Sequence, residues 1–114
     1  MNRHLLHQIC APLPGAEVSD PWGGHDAWKV GGKMFASVGA RDLGVAVKTA
    51  DADFARMMIE AGDAERAPYF HASWILLRWS APETLIRDRV VISYDLIRSK
   101  LTKKVPAGMA ERAP

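Results

Sequence analysis

The stretch "AWKVGGKMFA" (residues 27–36) sets two adjacent glycines between two lysines, with strand-forming residues on both sides. A phosphate-binding loop of the G-x-x-x-x-G-K-[ST] kind leaves a strand and opens a helix, so that backbone N–H groups and the helix dipole meet the anion. Here Lys33 is followed by Met-Phe-Ala-Ser-Val, a strand pattern, and no Ser or Thr stands after the lysine to hold magnesium. A β-hairpin fits better, because Gly31-Gly32 supplies the positive φ angles of a two-residue primed turn. That turn pairs Val30 with Lys33, Lys29 with Met34 and Trp28 with Phe35. Yet Met34, Ala36 and Val38 also alternate, and this register puts them on the face opposite Trp28. A three-residue turn with a bulge shifts the pairing by one and exchanges the two faces, so both registers stay open.

Outward from the hairpin, "LGVAVKT" (43–49) alternates Leu43, Val45, Val47 and Thr49 with smaller or charged residues, as a half-buried strand does. The short link "GARD" (39–42) joins it to the hairpin, so strands over 27–30, 33–38 and 43–49 form an antiparallel meander. Upstream, Asn2 can cap a helix carrying Leu5, Leu6 and Ile9, and Pro12 and Pro14 end it. A short strand near Glu17 to Ser19 fits the connection that follows.

Downstream, Asp51 caps a second helix whose apolar face is expected at Phe54, Met57, Met58 and Ala61, with Gly62 as the residue past its end. Asp63 to Pro68 reads as a polar link. "SWILLRW" (73–79) reads as a central strand, apolar nearly throughout. Ser80 and Glu83 fit a capping box with Pro82 in the first turn. The last helix is expected to reach about Lys103, with Ile86, Val90, Ile97 and Leu101 as its stripe and Tyr94 beside it. Segregated helices and strands in this order predict an α+β two-layer sandwich, an antiparallel sheet with helices on one face. Residues 1–104 form one domain, and 105–114 are expected to be a flexible tail.

The chain has 114 residues, enough for one core without metal or disulfide staples, and its composition is that of a folded domain. Cys10 is the only cysteine, which points to a reducing compartment. No secretory signal and no membrane-spanning apolar run is evident, so a cytoplasmic location is expected. Residues 1–97 carry 10 basic and 12 acidic groups, whereas residues 98–114 carry 5 and 1. A basic end of this kind attracts polyanions although the whole chain is at only +2.

"LPGAE" (13–17), "WKVGGKMFA" (28–36), a strand holding Lys48 and "SYDLIRSKLTKK" (93–104) together resemble the MmcQ/YjbR family. The resemblance runs from about Leu5 to Lys104 and implies a fold similar to CyaY and frataxin, which agrees with the order of elements above. It also implies DNA binding through a pair of hairpin wings. In one place the chain departs from the family: "YFHASW" (69–74) has no lysine or arginine where similar members carry basic residues. Frataxin-like iron binding is not implied either, since the first helix, Asn2 to Ala11, has no acidic residue.

The expected DNA-binding residues are Lys29, Lys33, Arg41, Lys48, Arg98, Lys100, Lys103 and Lys104, with double-stranded DNA as the partner. Their plain alternative is a solvated basic surface with cations favouring a helix C-terminus. His4, His7 and Cys10 fall at i, i+3 and i+6 of the first helix, a wide spread for one metal ion with no fourth ligand evident, so no metal or other cofactor is expected. Ser93, Tyr94, Asp95 and His71 contain triad letters without a nucleophile elbow or oxyanion-hole pattern, and a non-enzymatic protein is expected. The alternative function is a small protein-interaction or dimerising domain. It would use tryptophans of the uncovered sheet face, with Trp79 and Ile75 as the first candidates.

Overall fold

The computed structural model describes residues 1–20 and 23–101. Trp22, Lys103, Lys104 and the 105–114 tail lie outside these. Helix α1 (Arg3–Cys10) leads into strand β1 (Ala16–Ser19), then β2 (Asp26–Val30), β3 (Lys33–Val38) and β4 (Gly44–Lys48). Helix α2 (Ala52–Glu60), β5 (Glu65–Arg66), β6 (Trp74–Arg78) and helix α3 (Glu83–Leu101) complete the order. The strands form one antiparallel six-stranded sheet in the order β1-β2-β3-β4-β6-β5.

The caps act as their residue types require. Asn2 Oδ1 accepts from Leu5 N at 2.9 Å, and Asp51 Oδ1 accepts from Phe54 N at 2.8 Å. Gly62 takes φ 83° past the end of α2, where Asp63 N reaches back to Met58 O at 3.0 Å. The expected box at Ser80 does not start α3. The first i to i−4 bond runs from Ile86 N to Pro82 O, so the helix begins two residues later, after Ala81 N has closed a turn onto Arg78 O. On α2 the buried stripe is rotated from the expected one. Ala55 and Met58 face the core with Phe54 and Ile59 beside them, and Met57 is exposed, because the helix lies against β5 and β6 at the side of the sheet. Strand β5 lies within the expected polar link; two exposed residues carry no period to reveal it.

One cluster unites the inner positions of the sheet with all three helices. Leu6 and Cys10 of α1, Ala55 and Met58 of α2, and Ile86, Val90, Tyr94 and Ile97 of α3 meet Trp28, Val30, Ala36, Val38, Val45, Val47, Ile75 and Leu77. Cross-strand partners share a face, so the partners Trp28 and Ala36, Val47 and Ile75, and Val45 and Leu77 form continuous rows under the helices. Ile75 is therefore core, not an outer-face residue. Trp79 is half-buried against the core and donates from Nε1 to Asp42 O at 2.9 Å and Oδ1 at 3.0 Å, so only part of its ring is open to solvent.

The hairpin realises both open registers in succession. Gly31 (φ 58°) and Gly32 (φ 79°) make the two-residue turn, pairing Val30 with Lys33 and Lys29 with Met34. A bulge then intervenes, and Trp28 pairs with Ala36 rather than with Phe35. The extra residue, Phe35, turns inward beside Ala36, and both are fully buried. Phe35 meets the ring of Tyr94 edge-on at 5.3 Å, and Trp28 receives the edge of His7 at 5.1 Å.

The bulge bends β3 away from β4, and their ladder holds only at Ala36 with Val47 and Ser37 with Ala46. Where the strands part, Ser93 of α3 enters. Its Oγ donates to Phe35 O at 2.6 Å and accepts from Lys48 N at 2.9 Å, taking the place of the missing ladder bonds. The adjacent Tyr94 hydroxyl donates to Pro14 O, holding the end of the α1–β1 link.

Ser93→Ala leaves a carbonyl and an N–H without partners beneath α3, so it is expected to cost about 2–4 kcal/mol, read as a lower urea midpoint at unchanged m. A loss below about 0.5 kcal/mol would mean that the two strands close without the hydroxyl. Gly44→Ala is expected to be worse tolerated, because a Cβ there would stand 2.1 Å from Leu77 O and 2.8 Å from Arg78 Cα across the β4–β6 ladder. A loss of about 3 kcal/mol or more should appear in the same assay.

Candidate nucleic-acid interface

Strand direction sorts the basic residues. β2 ends, β3 begins, β4 ends and β6 begins at one end of the sheet, the end of the Gly31-Gly32 turn. Helix α3 starts just after Arg78 at the far end, crosses the β3–β4 split at Ser93, and brings its last turn, with Arg98 and Lys100, to the turn end. Lys33 is exposed at the turn. Lys29 is half-buried on β2 between Glu17 and Met34. Lys48 closes β4. Arg98 is half-buried with its Nη2 enclosed and lacking a hydrogen-bond partner. Arg41 stands apart, in the β3–β4 turn at the opposite end. Successive turns of a meander always alternate ends, and six-residue β3 separates them by about 20 Å. Lys33 and Arg41 therefore do not form one pair of wings on one surface. Lys103 and Lys104 lie outside the described residues.

Arginines and lysines differ in how they are neutralised. The ion pairs are Arg3 with Asp26 at 2.7 Å, Arg56 with Asp53 at 2.7 Å, Arg78 with Glu65 at 2.8 Å and Arg87 with Glu83 at 3.4 Å. Among the described residues no lysine joins an ion pair, although Lys29 stands across the β1–β2 ladder from Glu17; Lys33, Lys48 and Lys100 have no carboxylate as a ladder or ion-pair partner. Burial, and then the charge of Lys100, lower the pKa of Lys48.

The loop before β6 joins this end. Lys48 Nζ donates to Ser73 Oγ at 2.8 Å, and Ser73 Oγ lies 2.9 Å from His71 Nδ1. Ser73 N donates to the same Nδ1 at 3.0 Å, so Nδ1 is the accepting nitrogen and the neutral ring carries its proton on Nε2. Thr49 Oγ1 lies 2.7 Å from Ser73 O, and Thr49 N donates to Ser73 O at 2.8 Å. Serine, lysine and histidine here fasten the loop to β4. Ser73 is 2% exposed, too enclosed to meet a substrate as a nucleophile. The lysine that "YFHASW" lacks in sequence reaches it from the neighbouring strand. Ser73 escaped sequence reading because its partner Lys48 stands 25 positions earlier, and no local spacing records that contact; His71, weighed only as a triad letter, meets Ser73 two positions on.

Other candidates separate. Ser93 and Tyr94 are engaged with backbone groups and form no triad with His71. On α1, Cys10 is buried with its thiol pKa pushed up to about 12, His7 lies against Trp28, and His4 is exposed beside Gln8. Among the described residues no three His, Cys, Asp or Glu side chains gather as metal ligands. A cleft of about 310 Å³ opens at the far end between β5, β6 and the start of α3, lined by Asp63, Glu65, Leu76, Arg78 and Leu85 among others. Its Glu65 and Arg78 neutralise each other through two hydrogen bonds, of 2.8 and 3.0 Å. No helix among the described residues is long and apolar enough to cross a membrane.

Comparison with known proteins bears on this architecture. The crystal structure of the Deinococcus radiodurans protein DR2400, with a domain designated DUF419, superposes with a TM-score of 0.73. The superposition covers 91% of this chain and 81% of that one at 20% identity, a likeness of fold. No curated protein matches the chain. The YjbR family model matches residues 11–96, a span that contains the bulged hairpin, the β3–β4 split and the Ser93-Tyr94 pair that closes it, and the chain belongs to that family.

Proposed function

We propose that this protein is a non-enzymatic, cytoplasmic DNA-binding protein that takes duplex phosphates at the turn end of its sheet. The observation that carries the reading is the set of lysines at one end of the sheet that join no ion pair among the described residues: Lys29, Lys33 and Lys48 from three adjacent strands, and Lys100 from the last turn of α3. Arg98 joins them on α3, and Lys103 and Lys104 continue the same basic run in sequence. Arg41, at the other end of β3, lies outside this cluster. The hydroxyls of Ser93 and Tyr94 support a role without catalysis, since both hold backbone carbonyls. Cys10 is a buried free thiol, consistent with a reducing compartment.

Of the leading residues of the protein-interaction alternative, Ile75 lies in the core and Trp79 is half-buried against it. Among the described residues the exposed large hydrophobics are Val18 of β1, Met57 of α2, Tyr69 of the loop before β6 and Ile92 of α3, which lie apart in the chain.

Tryptophan fluorescence titration with duplex DNA tests the proposal. If about four phosphates are neutralised, log K falls against log salt with a slope near −3.6. Lys33→Ala and Lys100→Ala should each reduce that slope by about 1, and Arg41→Ala should leave it unchanged. Absence of binding at about 50 mM salt would sink the reading.

A further inference from the structure

The loop from Ala67 to Ser73 combines features that packing does not explain. Tyr69 is fully exposed, at 106% of its reference area, and its backbone has φ 71°. A bulky side chain in the left-handed region is an outlier, and such strain persists only where the surroundings impose it. The surroundings here are firm. Phe70 stacks on Trp74 with ring centres 4.6 Å apart and planes 26° apart. Phe70 N donates to Ala67 O, Trp74 N donates to His71 O at 2.9 Å, and the Ser73 clamp closes the far side. Tyr69 is thus held out in water by an anchored loop.

The chemistry around that ring is selective. Residues 67–74 contain no carboxylate; the nearby Asp51, joined to the loop through Thr49 and Ser73, is turned to Phe54 N as the cap of α2 but keeps its charge. Lys48, the ladder partner of Trp74, reaches the base of the loop at Ser73 and has no ion pair. An exposed aromatic on a loop whose base is tied to a lysine is an arrangement with which proteins hold single strands, stacking a base on the ring while nearby cations neutralise phosphates. A protein partner would be served equally by the ring but has less use for the lysines at the base of the loop, and duplex DNA keeps its base faces stacked inside. We propose that Tyr69 stacks an unpaired base of a single-stranded nucleic acid while Lys48 and Lys100 take its flanking phosphates. This rests on the nucleic-acid reading above and adds that the site selects strands with accessible bases.

Fluorescence anisotropy with a labelled thymidine 12-mer, the matching duplex and heparin, a polyanion without bases, separates the terms. Tyr69→Ala should weaken 12-mer binding about fivefold to a hundredfold, Tyr69→Phe should retain it, and heparin binding should be unchanged by either. Tyr69→Gly, which suits the left-handed backbone, should lose the same affinity without lowering the melting temperature. Duplex binding with its salt slope intact, together with equal 12-mer affinity for wild type and Tyr69→Ala, overturns the stacking inference and leaves the DNA reading standing. Failure of the wild type to bind either oligonucleotide overturns both. Loss of self-association on sedimentation with unchanged oligonucleotide binding would assign Tyr69 to a contact with a second copy, and would overturn the inference as well.

Discussion

The Ser93 hydroxyl joins two strands that the bulge has forced apart. Phe35 cannot be both an extra inward-facing residue and a ladder partner of β4, because a bulge leaves one residue unpaired and bends its strand. The resulting gap exposes a carbonyl and an N–H underneath a helix, where water cannot satisfy them without loosening the packing. A serine hydroxyl both donates and accepts, so one small side chain serves both groups. Its position then fixes α3 along the sheet, and with it Tyr94 against Phe35 and the whole stripe of Ile86, Val90 and Ile97.

This constraint also shapes the basic end. Lys48 is pinned by its backbone to Ser93 and by its ammonium to Ser73, so it connects the last helix to the aromatic loop. The strand split leaves Lys33 and Lys29 on the hairpin side and Lys48 and Lys100 on the other. The lysines share one end because antiparallel strands and the direction of α3 bring them there. At the opposite end Arg3 pairs with Asp26 and Arg78 with Glu65, while the turn end holds Glu17 and Asp51 among its lysines without an ion pair to any of them.

Much of the scaffold was legible from local chemistry. Gly-Gly announces a primed turn, Asn2 and Asp51 announce helix starts, and alternation marks Val45 and Val47 as inward. Each rests on the conformational preference of a few neighbouring residues. Ser80 misled because its spacing to Glu83 fits a capping box equally well before or after a turn. Met57 misled because helical periodicity names an apolar stripe without saying how far the helix is rotated at the side of the sheet. The separation of Lys33 from Arg41 was available in principle from the meander, since its turns must alternate ends. The candidate site was less legible: its lysines could be named, but not which of them lacked partners.

What the amino-acid sequence determined by itself is the set of elements, the antiparallel meander, the layered α+β class and the identity of the motif residues, because these follow from backbone propensity, caps and periodicity within short windows. The tertiary structure decided the bulge at Phe35, the role of Ser93 in the gap, the meeting of Lys48 with Ser73 and the exposure of Tyr69. Each of the first three depends on contacts across at least two elements, where a one-residue shift reverses the outcome. The exposure of Tyr69 depends on which neighbours the fold leaves absent, and a sequence records its residues without recording the space around them.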